Sequence, residues 1–184
     1  MKRIYQELGG KSPNIIFADA ENLEEAAKVS TMGIFRNSGE VCVAGSRLLV
    51  EDKIHNEFLK LVSEYSQKLK IGDPLEIKND VGAINSLSQL QSDLDFVEKA
   101  KSEGGNIEIG GNRILKSSGG FYMEPTIISS VKQDTEVFQN EVFGPILTVT
   151  AFSNEDEAIK LANGTDFGLA SGIWTSNLSR AHKM

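Results

Sequence analysis

Four side chains in this sequence have the type and setting to do chemistry. Cys42, the single thiol, follows Gly39 in FRNSGEVCVAGSR, in a segment that breaks the helical pattern before it and leads into a strand-like run. Backbone N–H groups at a loop-to-helix junction stabilise a thiolate, the nucleophilic form of the group. The competing reading is a small buried hydrophobe, since free cysteine is among the most buried residue types. Glu7 lies between a strand-like stretch at 4–6 and the pair Gly9 and Gly10, which permit close approach of backbone or ligand. A carboxylate at the end of a mostly buried strand binds its proton more tightly, as a general base requires. The plainer alternative is a surface charge at a strand end. Glu141 and Phe143 form an acid-and-aromatic pair in EVFGP, just before Pro145. A turn with an anchoring ring is the alternative there.

Other apparent motifs fail on their own physical requirements. Gly10, Lys11 and Ser12 resemble the end of a phosphate-binding P-loop, but Tyr5 stands where that motif's first glycine belongs. No G-x-G-x-x-G occurs, so the dinucleotide fingerprint of a standard Rossmann unit is missing. Asn163 and Asn177 match the glycosylation sequon and read better as turn and helix-cap residues. His55 falls on the polar side of a helical pattern and His182 close to the last residue, so both read as surface groups. One cysteine and two histidines make no zinc site without several carboxylates.

The elements that must position these residues alternate between strands and amphipathic helices. An apolar run at 12–17 suits a strand buried on both faces. Asn22, with Glu25 three residues on, caps a helix that places Leu23, Ala26, Ala27, Ser30 and Ile34 on one face. A strand at 47–50 follows. A helix at 53–69 then carries Ile54, Phe58, Leu61, Val62, Tyr65 and Leu69 as one stripe, and Gly72 and Pro74 stop it. Leu87, Leu90, Leu94 and Val97 mark a third helix, ended by Gly104 and Gly105. Strands are expected at 4–8, 106–109, 122–131, 146–152 and 168–175, with a surface loop at 110–120. Asn154 with Glu157 opens a further helix that Gly164 closes, and Asn177 caps a last one. This alternation argues for an α/β fold with a parallel sheet of βαβ units. The short final helix and the opening strand without a lead-in suggest a piece of a longer protein.

Composition narrows the function classes. The chain has 184 residues, 40% of them hydrophobic, enough for one domain with its own core. Lys and Arg total 19 against 26 Asp and Glu, a formal charge of −7, which argues against nucleic acid as a partner. The apolar runs are far shorter than the ~20 residues that span a bilayer. Met1, Lys2 and Arg3 lack the apolar stretch of a signal peptide. The expectation is a soluble, cytoplasmic, acidic α/β protein.

Taken together, the segments ELGGKSPNIIF at 7–17, FRNSGEVCVAGSR at 35–47, GGFYMEPTII at 119–128, NEVFGPILTV at 140–149 and ANGTDFGLASGIWT at 162–175 carry a resemblance. In that order, the chain resembles the catalytic domain of the NAD(P)-dependent aldehyde dehydrogenase superfamily over nearly its whole length. The resemblance implies one catalytic domain over 1–184, incomplete at both ends, that oxidises an aldehyde to a carboxylic acid with NAD or NADP. It makes Cys42 the nucleophile, passing through a thiohemiacetal and a thioester, and Glu7 the base that activates water. The backbone N–H of Cys42 becomes an oxyanion donor. Glu141 matches the carboxylate on the nicotinamide ribose and Phe143 the ring beside the nicotinamide.

Departures accompany the match. Glu40 stands two residues before the nucleophile, where many relatives carry glutamine, and its charge disfavours a thiolate unless it points away. The family's N-terminal cofactor-binding domain, with the second oxyanion donor, is missing, as is a tail used in subunit association. The isolated chain is therefore expected to show little activity, and homo-oligomerisation is expected of a full-length parent. Two alternatives stand beside the dehydrogenase: a thiol esterase-type hydrolase acting through Cys42, and an inactive fragment whose activity requires the missing domain. Acylating relatives generally lack a base matching Glu7, which argues against that class.

Overall fold

The computed structural model describes all residues, Met1–Met184. Strand β1 (Pro13–Ile16) leads through helix α1 (Leu23–Phe35) to β2 (Arg47–Glu51), which lies parallel beside it, Pro13 opposite Arg47. Helices α2 (His55–Gln67) and α3 (Leu87–Ser102) follow, then β3 (Asn106–Ile109). The chain continues through β4 (Arg113–Ile114), β5 (Tyr122–Met123), β6 (Thr126–Ser129), a single turn α4 (Glu136–Gln139) and β7 (Ile146–Phe152). Helix α5 (Glu155–Ala162), β8 (Gly172–Trp174) and the short α6 (Leu178–Lys183) complete it. The main sheet runs β3-β6-β7-β2-β1-β8, parallel throughout except for β3 at one edge. The expected parallel α/β fold is the observed one.

Both faces of this sheet are covered, and the sequence pattern follows from that. Along β2, Leu48 and Val50 enter one core while Leu49 between them enters the other, and all three are fully buried. Ile15 and Ile16 split in the same way, as do Ile127 and Ile128. Period-two alternation with apolar residues on both faces produces the unbroken hydrophobic runs seen in the sequence. Helices α1 and α2 cover one face through Ala26, Ala27, Ile34, Phe35, Phe58 and Val62. Helices α3 and α5 cover the other through Leu90, Val97, Ala158 and Leu161.

The helix starts form for the reasons expected. The Asn22 side chain accepts the Glu25 N–H at 3.0 Å, and Asn154 accepts that of Glu157 at 3.0 Å. Four expectations need correction. Residues 4–8 form no strand: no strand runs alongside them, and Ile4, Tyr5 and Leu8 are exposed. The stretch 122–131 is two strands in different sheets, because Pro125 has no N–H to continue a ladder. The late strand is confined to Gly172–Trp174. The loop 110–120 contains β4, paired with β5, and a single 3-10 turn.

Arg47, the first residue of β2, ties these parts together. It is 1% exposed, and its Nε donates to the Lys11 carbonyl while its two terminal nitrogens donate to the carbonyls of Leu161 and Ala162, each at 2.7 Å. The guanidinium lies 4.8 Å from the centre of the Phe138 ring. Leu161 and Ala162 end α5, where unpaired carbonyls concentrate negative potential, so the cation also answers the helix dipole. Burial pulls its pKa down to about 10, which leaves it charged at neutral pH. Lysine offers no planar fork for three carbonyls. Arg47→Lys should lower unfolding stability by at least about 3 kcal/mol, because buried carbonyls lose their donors; the shift in urea midpoint measures it.

Candidate active site

The site is built where three loops meet at the ends of strands: the entry to β1, the connection from α1 to β2, and the entry to β7. Gly10 is their common point. Its N–H donates to Glu141 Oε1 at 2.9 Å. A Cβ on Gly10 would stand 2.2 Å from the Cys42 carbonyl oxygen, and one on Gly9 would stand 2.5 Å from Glu141 Oε2. No side chain fits at Gly10, whose clash is with backbone, and one at Gly9 would push the Glu141 carboxylate aside; the missing Cβ atoms let the backbone touch both candidate groups. Gly10, Val41, Glu141 and Phe143 line one crevice.

The connection carrying Cys42 is not a helix N-terminus. After α1 the backbone turns through three consecutive left-handed residues: Asn37 at φ 53°, Ser38 at 58° and Gly39 at 76°. Each non-glycine residue there costs roughly 1–2 kcal/mol. Local bonds offset this, with Asn37 Nδ2 donating to the Glu40 carbonyl at 3.0 Å and Ser38 Oγ to the Gly82 carbonyl at 2.9 Å. Gly39 is required twice over, since a Cβ would lie 2.0 Å from the Gly144 carbonyl. Cys42 follows in a tight turn closed by the Ala44 N–H on the Val41 carbonyl, and its side chain is half-buried. Phe143 has φ 61° and is 37% exposed, a ring held out of the core by a left-handed backbone.

The structure brings Cys42, Glu141 and Phe143 to one place and puts Gly9 and Gly10 against them. Glu7 lies two residues before Gly9 in an exposed segment outside any strand or helix. The buried strand end expected for it is absent, for the reason given for residues 4–8. Glu40 accepts from the Asn85 backbone N–H at 3.1 Å and from its side-chain amide. Burial raises the Glu40 pKa, and the Asn85 bonds oppose the rise. His55 is half-buried at the start of α2 and His182 is exposed on α6; neither lines the crevice.

Three further residues underlie the site. Lys11 is 2% exposed, and its Nζ has no hydrogen-bond partner. Asp93 on α3 is fully buried, and Gln89 Nε2 donates both to its Oδ1 at 2.8 Å and to the Val142 carbonyl at 2.9 Å. Asn85 and Gly82, just before α3, hold the 37–40 turn. Asp93 had a visible signal: it stands three residues after Leu90 and four before Val97, on the apolar face of the helix. Lys11 sits between two glycines and a strand, where composition marks nothing.

A model of the aldehyde dehydrogenase family matches residues 1–184, and the chain belongs to that family. It is similar to the NADP/NAD-dependent aldehyde dehydrogenase PuuC of Escherichia coli, 40% identical over all of this chain and 36% of that protein. Aldehyde dehydrogenase 1A1 of Gallus gallus is 41% identical over 98% of this chain and 35% of that protein. Among solved structures, the aldehyde dehydrogenase KauB from Pseudomonas aeruginosa superposes with a TM-score of 0.96 at 46% identity, covering 99% of this chain and 37% of that one. An indole-3-acetaldehyde dehydrogenase solved with NAD+ gives 0.96 at 45%, with the same coverage. The chain thus spans about a third of the length of the relatives it matches.

The Lys11 ammonium yields a pH prediction. Burial lowers its pKa to about 7; the Arg47 charge adds to the shift and the Glu141 charge opposes it. The folded protein therefore binds fewer protons here than the unfolded chain between about pH 7 and pH 10.5, so this group's contribution to stability rises with pH across that window. Lys11→Met removes the penalty. Its gain over the wild type in urea unfolding should be largest below pH 7 and should shrink toward pH 10.

Proposed function

We propose that the chain is the catalytic part of an aldehyde dehydrogenase, oxidising an aldehyde to a carboxylic acid with NAD or NADP through Cys42. The observation that carries this reading is the contact of Gly10 with both Glu141 and the Cys42 backbone, inside a chain that belongs to the family. When bound, NAD(P)+ supplies the hydride acceptor. The residues present fit such a group: Glu141 offers a carboxylate for ribose hydroxyls and Phe143 an exposed ring for a planar heterocycle. PuuC is described as NADP/NAD-dependent, and several structural neighbours were solved with NAD+.

In this reading the Cys42 thiolate adds to the aldehyde carbon, and the Cys42 backbone N–H donates to the oxygen that becomes an alkoxide. Loss of hydride from that carbon leaves a thioester on Cys42. Glu7 then takes a proton from water, which attacks the thioester carbon; the carboxylic acid departs and the thiolate is restored. The Glu7 carboxylate lies on the segment that Gly9 seats against Glu141, and its exposure gives it access to water. The reactive thiol fits a reducing compartment such as the cytoplasm, and self-association of the whole protein belongs to the same proposal. No helix is long and apolar enough to cross a membrane.

In a full-length parent carrying this chain, a short aldehyde and NAD+ should leave one acyl group on the Cys42 peptide, read by mass, and Cys42→Ala should abolish the adduct. Glu7→Gln should still acylate but release acid about 10²–10⁴-fold more slowly. Acylation that survives Cys42→Ala, or an unchanged release rate in Glu7→Gln, contradicts the assignment.

A further inference from the structure

Asp93 is an acid where the fold asks for a hydrocarbon. It occupies the buried stripe of α3 between Leu90 and Val97, is 0% exposed, and leaves Oδ2 without a partner. A carboxylate in that setting is costly unless it is paired, and no cation pairs with it. Its position is specific. A Cβ on Gly144 would stand 2.4 Å from the Asp93 carboxyl carbon and from both its oxygens, so Gly144 exists as glycine to admit this side chain. Its one hydrogen bond comes from Gln89, whose amide also donates to the Val142 carbonyl. Asp93 thus touches the turn Glu141–Val142–Phe143–Gly144 twice, by contact at Gly144 and through Gln89 at Val142.

We propose that Asp93 is a positioning residue whose protonation sets the seat of the 141–144 turn, and with it the affinity for a nicotinamide nucleotide. The affinity half of this rests on the reading of Glu141 and Phe143 given above. The neutral acid is the form that suits the observed packing. Once ionised, the carboxylate must gain water or a donor, and reaching either moves it against Gly144 and changes its hold on the Gln89 amide. Burial pushes the Asp93 pKa up to about 7, with the Gln89 bond opposing and the Glu40 charge adding. The polar groups acting on it are Gln89 on its own helix and Glu40 from the turn after α1; Glu141 belongs to the turn it contacts, and the Gly10 N–H holds that carboxylate. Lys11 bears on Glu141 and also titrates near pH 7, so Gly10 is a poor reporter of Asp93.

The test follows the Gln89 side-chain amide and the Phe143 and Gly144 backbone amides by ¹H–¹⁵N NMR from pH 5.5 to 8.5, alongside NAD+ affinity by calorimetry. In the wild type the three signals should move with one midpoint near pH 7, and NAD+ binding should weaken about fivefold between pH 6 and 8. Asp93→Asn, isosteric and uncharged, should hold the Phe143 and Gly144 signals still and reduce the change in NAD+ affinity to the part that Lys11 contributes through Glu141. Asp93→Leu, which restores the apolar stripe, gives a second non-titrating variant if the amide destabilises the fold. Signals that titrate alike in wild type and variants overturn the proposal, and so does wild-type movement confined to Gln89 while Phe143 and Gly144 stay still. If NAD+ binds with the same pH profile in all three proteins, the affinity half fails while the cofactor reading stands. If a full-length parent carrying this chain binds NAD+ at no pH, the cofactor reading fails, and a turn that still titrates through Asp93 supports the positioning role.

Discussion

A buried guanidinium with three backbone carbonyls around it is the constraint on which the rest of this structure depends. Arg47 begins the central strand β2, which pairs with β1 on one side and β7 on the other. Through Lys11 it fixes the chain just after Gly10; through Leu161 and Ala162 it fixes the end of α5. Two of the three loops that form the candidate site, the entry to β1 and the connection into β2, adjoin these anchored points. Removing the cation takes a donor from all three carbonyls at once, although Leu161 keeps the Gly164 N–H at 3.2 Å. The arrangement also explains why Cys42 is held by backbone rather than by a shell of polar side chains. Four residues separate the thiol from Arg47, and the close contacts of its neighbourhood are glycine against carbonyl.

Helix α3 provides the second level of support. Gly82 and Asn85 before it hold the turn that precedes Cys42, while Gln89 and Asp93 within it hold the turn bearing Phe143. The two turns also meet directly at Gly39 and Gly144. Left-handed backbone occurs in both, at Asn37, Ser38, Gly39 and Phe143, and surrounding bonds and contacts keep these conformations populated. The candidate groups are thus preorganised by one buttress, which is how a change at Asp93 can reach Phe143 without touching it.

Much of this was legible beforehand, and the failures have physical causes. The α/β class followed from alternating buried runs and capped amphipathic helices, and the caps at Asn22 and Asn154 form as their spacing required. Cys42, Glu141 and Phe143 stood out through residue type and adjacent glycines. Residues 4–8 misled, because an apolar run says nothing about whether a neighbouring strand exists to pair with it; Glu7 is accordingly exposed. The run at 122–131 concealed a change of sheet at Pro125. Lys11, Arg47 and Gln89 gave no local signal, since their roles come from partners between 36 and 115 residues away in sequence. Asp93 was readable as an acid on an apolar face. What it meets there, Gly144 and Gln89, depended on the fold.

The central claim is that the junction at Gly10 holds Cys42 as a nucleophile beside a nucleotide site. The rate of Cys42 alkylation as a function of pH, with and without NAD+, tests this most directly, since the single thiol makes the reaction site unambiguous. The account predicts that NAD+ changes the rate of Cys42 alkylation. A rate indifferent to NAD+ at every pH would contradict it.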